Sequence, residues 1–99
     1  MPLSPKQRHF LRGLAHTLKP VIIIGQQGLT PNVKNEIDQA LTHHELIKLR
    51  VNAEDRIQRR QLIETMVSEA NAELVATIGH IAVLYRPNPK KHKIQLVKS

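Results

Sequence analysis

Two glycines three residues apart, Gly25 and Gly28, frame the segment of this chain best suited to chemistry. Val21, Ile22, Ile23 and Ile24 precede them as an unbroken apolar run, the pattern of a fully buried strand. Thr30 and Pro31 follow and predict a helix start, with Thr30 as N-cap and Pro31 at the first position, where a missing N–H costs nothing. A Gly-Gln-Gln-Gly loop so placed leaves bare backbone N–H groups beside a helix N-terminus, which suits an anion such as phosphate. Gly25 and Gly28 let a polyanion backbone approach closely, while the Gln26 and Gln27 amides offer contacts. The competing reading is a tight turn that needs glycine only for its dihedral angles. A nucleotide site is excluded, because neither GxxxxGK with Ser or Thr nor GxGxxG with a following acid is present.

The charge pattern points the same way. The 99 residues carry a net charge of +7, which favours a polyanionic partner. Residues 1–35 hold Lys6, Arg8, Arg12, Lys19 and Lys34 without a single acid; residues 86–99 hold Arg86, Lys90, Lys91, Lys93 and Lys98, again without one. All eight acids lie between them. Arg8, Arg12, Lys19 and Lys34 are the expected contacts beside the loop, with Lys48, Arg50, Arg86, Lys90, Lys91 and Lys93 as a secondary set. Phe10 and Tyr85 are the only aromatics, too few for stacking bases on exposed rings, so backbone contact and shape are the modes left.

Other chemistries find little support. His43 and His44 are adjacent and diverge by about 100° on a helix, and no HExxH or CxxC pattern accompanies them, so no metal is expected. His9 and His16 fall on a basic helix face, where they can touch RNA or gain charge at low pH. Ser4, Ser68 and Ser99 sit in a cap, a helix and a tail, with nothing like a nucleophile elbow. Glu36, Asp38, Glu64, Glu69 and Glu73 fall on helix surfaces or a strand start. The reading is a protein that is not an enzyme and takes no cofactor and no small-molecule substrate. The absence of cysteine fits a cytoplasmic setting, the N-terminal residues lack a secretory core, and no apolar run is long enough for a bilayer.

The elements that must position these residues follow from local signals. Ser4, Pro5 and Gln7 form a helix start with a capping box, after which Phe10, Leu11, Leu14 and Leu18 define an apolar stripe up to Pro20. Arg8, His9, Arg12, His16 and Lys19 lie opposite. Val33, Ile37, Ala40 and Leu41 mark a second helix ending near His43. From Glu45 to Val51 the pattern alternates, with Ile47, Leu49 and Val51 inward and Lys48 and Arg50 outward. Asn52 is expected to cap a third helix with Glu54 and Asp55 in its first turn, a core stripe of Leu62, Ile63, Met66, Val67 and Ala70, and an end at Asn71. Strands from Leu74 to Ile78 and Ile81 to Tyr85 flank a Gly79-His80 hairpin. The order α-β-α-β-α-β-β implies an α/β fold, a four-stranded mixed sheet packed with three helices, in which helical crossovers set parallel neighbours and the hairpin an antiparallel edge. Residues 1–88 form the domain and 89–99 a basic tail, with a short edge strand over 92–97 as an alternative.

Ile24-Gly25-Gln26-Gln27-Gly28-Leu29-Thr30, then His44-Glu45-Leu46-Ile47-Lys48, then Ile78-Gly79-His80 leading to Val83-Leu84-Tyr85-Arg86-Pro87, together resemble the CRM domain in its stand-alone bacterial, YhbY-type form. The resemblance covers roughly residues 3–88. It implies a fold similar to the C-terminal domain of translation initiation factor 3. It also implies RNA binding through Gly25, Gln26, Gln27 and Gly28 with nearby basic side chains. Bacterial members are associated with precursors of the large ribosomal subunit, so ribosomal RNA is the implied partner. Many relatives carry a basic residue inside the loop, whereas this chain has two glutamines, so attraction must come from flanking elements. The alternative is a protein-interaction adaptor docking on an acidic protein surface, with RNA binding incidental.

Overall fold

Capping signals place the helix starts. The computed structural model describes residues 3–98; residues 1–2 of the expected domain and Ser99 of the expected tail lie outside the described residues. Helix α1 spans Pro5–Ala15, and Ser4 and Gln7 close the expected capping box: Ser4 Oγ accepts from the Gln7 N–H and Gln7 Oε1 from the Ser4 N–H, both at 3.1 Å. Helix α2 spans Pro31–His44, with Thr30 Oγ1 accepting from the Val33 N–H. Helix α3 spans Arg56–Ala70 and ends on Asn71 in the left-handed conformation, as expected. Its N-cap, however, is Asp55, whose carboxylate accepts from the Gln58 N–H at 2.8 Å. Asn52 is instead tied back to the sheet, its N–H donating to Ile24 O and its side chain accepting from Arg50 Nε. Glu54 and Asp55 therefore precede the helix.

Strands β1 (Pro20–Ile24), β2 (Leu46–Val51), β3 (Glu73–Ile78) and β4 (Ile81–Tyr85) form one sheet in the order β1-β2-β4-β3. The first helical crossover gives the parallel β1/β2 pair. The second does not give parallel neighbours, because β4 folds back from the hairpin and inserts antiparallel between β2 and β3. Gly79 supplies the positive φ of that hairpin. The mixed four-stranded sheet with three helices is the architecture the sequence implied.

The sheet carries a core on each face. Ile22 and Ile24, Ile47, Leu49 and Val51, and Ala82 and Leu84 pack under α2 and α3 with Ile37, Leu41, Ile63 and Met66. Leu46, Val75, Val83 and Tyr85 pack on the other face with Leu11 and Ala15 of α1 and with Leu3. Two expectations fail here for one reason. Strand β1 is half-buried, not buried, with Val21 and Ile23 at 52% and 63% exposure, because it is an edge strand covered on one face only. Leu14 and Leu18 are likewise exposed, since α1 stops at Ala15 and packs over β2, β3 and β4. Pro20 does not end the helix but opens β1, holding Lys19 away from helical geometry.

Residues 92–97 form no strand, yet the segment after β4 is seated. Glu45, at the turn from α2 to β2, is fully buried. Its Oε1 accepts from the Lys93 and Ile94 N–H groups at 2.8 Å each, and its Oε2 from the Asn88 N–H. Ile94 and Leu96 then pack on the α1-side core, and Gln7 Nε2 donates to Val97 O.

Candidate nucleic-acid interface

The Gly25–Gly28 loop closes with a hydrogen bond from the Gly28 N–H to Gly25 O at 3.1 Å, which puts Gln26 and Gln27 at the tip. The two glycines play different parts. Gly28 has φ +70, so the turn itself favours glycine, although a Cβ there would meet Leu62 of α3 only at an ordinary contact distance of 3.7 Å. Gly25 has no such φ, and a Cβ there would meet nothing within 4 Å. Turn geometry thus accounts for Gly28 and leaves Gly25 unexplained. Among the described residues the backbone N–H groups of Gln26 and Gln27 have no hydrogen-bond partner, and all of residues 25–27 are exposed.

Beside the loop runs an open groove of about 510 Å³ between it and α3, lined by Gln26, Gly28, Lys34, Gln58, Gln61 and Thr65 among others. Lys34, its one cation, is paired with Glu69 at 2.7 Å. A second groove lies on the opposite flank of α3, lined by Arg56, Arg59, Arg60 and Glu64 with Thr77 and Gly79 of the hairpin. Arg59 Nη1 lies 3.3 Å from His80 Nδ1. Among the described residues none of Arg56, Arg59 and Arg60 has a carboxylate partner. The loop, the start of α3 and the hairpin all gather at the end of the sheet marked by Ile24, Val51 and Ile81.

The expected basic residues scatter. Lys19 lies at the opposite end of β1 from Gly25, a separation on the order of 20 Å at strand rise. Arg8 is turned inward, its Nη1 donating to Leu74 O and Nη2 to Leu3 O. Arg12 is exposed on α1, across the sheet from the loop groove. Lys48 and Arg50 point to the α1 face, Lys48 Nζ donating to His16 O at 3.3 Å. Arg86 is a structural staple: Nη1 donates to Asp38 Oδ1 and Ala70 O, both 2.9 Å, and Nη2 to Asp38 O and Thr42 Oγ1, both 3.0 Å. Lys90, Lys91 and Lys93 keep exposed side chains, while their backbone N–H groups are held by Asn88 and Glu45. Only Lys34 of the expected set adjoins the loop.

Sequence reasoning missed three arginines and one acid. Arg56, Arg59 and Arg60 were masked by the acids around them in the chain, although their i, i+3, i+4 spacing places them on one helical flank. Glu45 stands between a helix end and an apolar strand, the one hint of its burial. Burial alone would raise its pKa; the N–H donors from Asn88, Ile94 and Lys93, with His92 nearby, outweigh that and hold it below 4.5. Burial, then the nearby Glu45 charge, pushes the Tyr85 phenol up.

A family model described as the CRS1 / YhbY (CRM) domain matches residues 3–86. The chain belongs to the CRM domain family. Among its CRM relatives, a Haemophilus influenzae protein named "RNA-binding protein" is 53% identical over 94 residues, covering 95% of this chain and 94% of that protein. The "Probable RNA-binding protein YqeI" of Bacillus subtilis is 35% identical, covering 95% and 98%. The solution structure of a hypothetical Staphylococcus aureus protein, described as a prospective RNA binder, superposes with a TM-score of 0.83 at 36% identity, covering 96% of this chain and 99% of that one.

Proposed function

We propose that this chain is a non-catalytic RNA-binding protein that acts on ribosomal RNA during assembly of the large ribosomal subunit. In this reading the Gly25–Gly28 loop lies against the sugar-phosphate backbone. The observation that carries it is the pairing of Gly25, a glycine the turn does not need, with the unpartnered N–H groups of Gln26 and Gln27. Small size at Gly25 suits close approach of a backbone, and free N–H groups suit phosphate oxygens. The names of the CRM relatives supply RNA as the ligand, and the family resemblance supplies the large subunit.

Lys34 is already neutralised by Glu69, so the attraction is assigned to Arg56, Arg59 and Arg60 across α3. An RNA backbone crossing the start of α3 reaches both flanks at once. Phosphate contacts of this kind set register and give salt-dependent affinity.

The test is Gly25→Asp, which sets a carboxylate beside the loop amides in open space. Binding to large-subunit ribosomal RNA fragments at moderate salt is expected to weaken about tenfold or more, with the melting temperature unchanged. Gly28→Ala serves as the contrast, expected to lower stability by about 1 kcal/mol through its left-handed φ. Wild-type affinity in folded Gly25→Asp would remove the loop from the interface. Crosslinking in cells with sequencing of the bound RNA tests the ribosomal assignment.

A further inference from the structure

The two faces of the sheet are unequally covered. Four strands about 4.8 Å apart leave room for two helices packed side by side at about 8–10 Å. One face has them, α2 and α3. Among the described residues the other has α1 alone, seated over β2, β3 and β4, with the 88–97 segment alongside. The vacant place lies over β1, where Val21 and Ile23 stand exposed. On its inner side Leu14 and Leu18, 41% and 38% exposed, turn their apolar surface toward it. The groove between Val21 on one side and Leu14 and Leu18 on the other holds about 470 Å³ and reaches Leu46, Ile47 and Ile94 at its floor. Isolated exposed aliphatics are ordinary, but a contiguous apolar groove marks a docking surface.

The charges at the groove select the occupant. The cations Lys19 and Lys48 line it, with the His44 ring beside them, and no carboxylate does. Arg50 continues the basic rim along the same face of β2. A second copy of this chain would bring like charge onto like charge. RNA gains little from aliphatic walls, and the groove has no aromatic side chain on which a base could stack. Strand addition is hindered too, because Pro20 and the irregular register between Pro20 and Ile22 break up the free edge of β1. A helix lying in the groove needs none of those backbone groups and presents apolar residues at i, i+3, i+4 and i+7. We infer that the groove between α1 and β1 receives an amphipathic helix with acidic flanks from a protein partner. It completes the helical layer that α1 begins. The surface lies on the face away from α3, so one molecule holds RNA at the loop and a protein helix here.

The probe is a synthetic amphipathic helix with leucine at the i, i+3, i+4 and i+7 positions and glutamate on both flanks, followed by fluorescence anisotropy. It is expected to bind, and the same helix with lysine flanks to bind about tenfold or more weakly. Val21→Gln and Leu14→Gln, both at exposed positions lining the groove and both leaving the net charge unchanged, are each expected to weaken the acidic helix about tenfold, leaving melting temperature and RNA affinity unchanged. Failure of the acidic helix to bind, or equal binding by both variants, overturns the inference. Loss of RNA affinity in the same variants would make the groove a nucleic-acid surface, and a wild-type dimer that Val21→Gln dissociates in sedimentation equilibrium would give it to a second copy; either outcome overturns it.

Discussion

Glu45 shows how much one residue can organise. Its φ of +63 is a conformation that side chains adopt at a cost of about 1–2 kcal/mol, and its carboxylate has no exposed surface. Three backbone N–H donors offset both costs and fix the path of residues 88–94. Because the folded pKa lies below its ordinary 4.5, the carboxylate stabilises the fold fully above that value. That contribution is lost as pH falls through the folded pKa. Urea unfolding between pH 6 and about 3 is therefore expected to show stability declining below roughly 4.5. Glu45→Gln, which turns an amide toward those N–H groups, is expected to cost about 1–3 kcal/mol at neutral pH, to flatten that decline and to speed amide exchange over 88–94. An unaltered acid limb in Glu45→Gln would assign the decline to other carboxylates.

At the scale of elements, what was legible in the sequence is what local hydrogen bonds decide. Ser4 with Gln7, Thr30 before Pro31, Asn71 in its left-handed cap and Gly79 in the hairpin all act within four residues, and each sits where it was expected. What escaped depends on partners far along the chain. The exposure of Ile23 is set by where α1 stops, and Asn52 lost the cap because its N–H reaches Ile24 of a neighbouring strand. Arg86 is the clearest case. It reads as one more base in an acid-free tail, yet its guanidinium spans 48 residues to bind Asp38 in α2 and also reaches Ala70 at the end of α3. Lys cannot reproduce four bonds from one planar fork. Arg86→Lys is expected to cost about 1–2 kcal/mol, lowering the melting temperature by roughly 5–15 °C, with RNA affinity intact at temperatures where the variant is folded. A drop in RNA affinity without a drop in melting temperature would place Arg86 in the interface instead.

For the whole molecule, the decisive quantity is where charge sits in space. In the chain, Arg8, Arg12, Lys19 and Lys34 surround the loop; folded, Arg8 is spent on carbonyls, Lys34 on Glu69, and Lys19 is carried to the far end of β1. The middle stretch, residues 36–85, net acidic in sequence, supplies the unpaired arginines beside α3. Salt dependence separates the two arrangements, because each lost phosphate contact lowers the slope of log K against log salt by about 0.7–0.9. The double variant Arg56→Glu/Arg60→Glu is expected to lower that slope by roughly 1.5 or more and to weaken binding at every salt concentration. Both side chains are exposed and unpaired at the start of α3, where the helix dipole favours acids, so the like charge at the 56, 60 and 64 spacing costs the fold only about 0.5 kcal/mol while it adds to the repulsion of phosphate. Lys19→Glu, on the apolar groove instead, is expected to leave the RNA slope near its wild-type value. The reverse ranking, with Lys19 dominant and the arginine pair silent, would move the RNA to the α1 face and take α3 out of the interface.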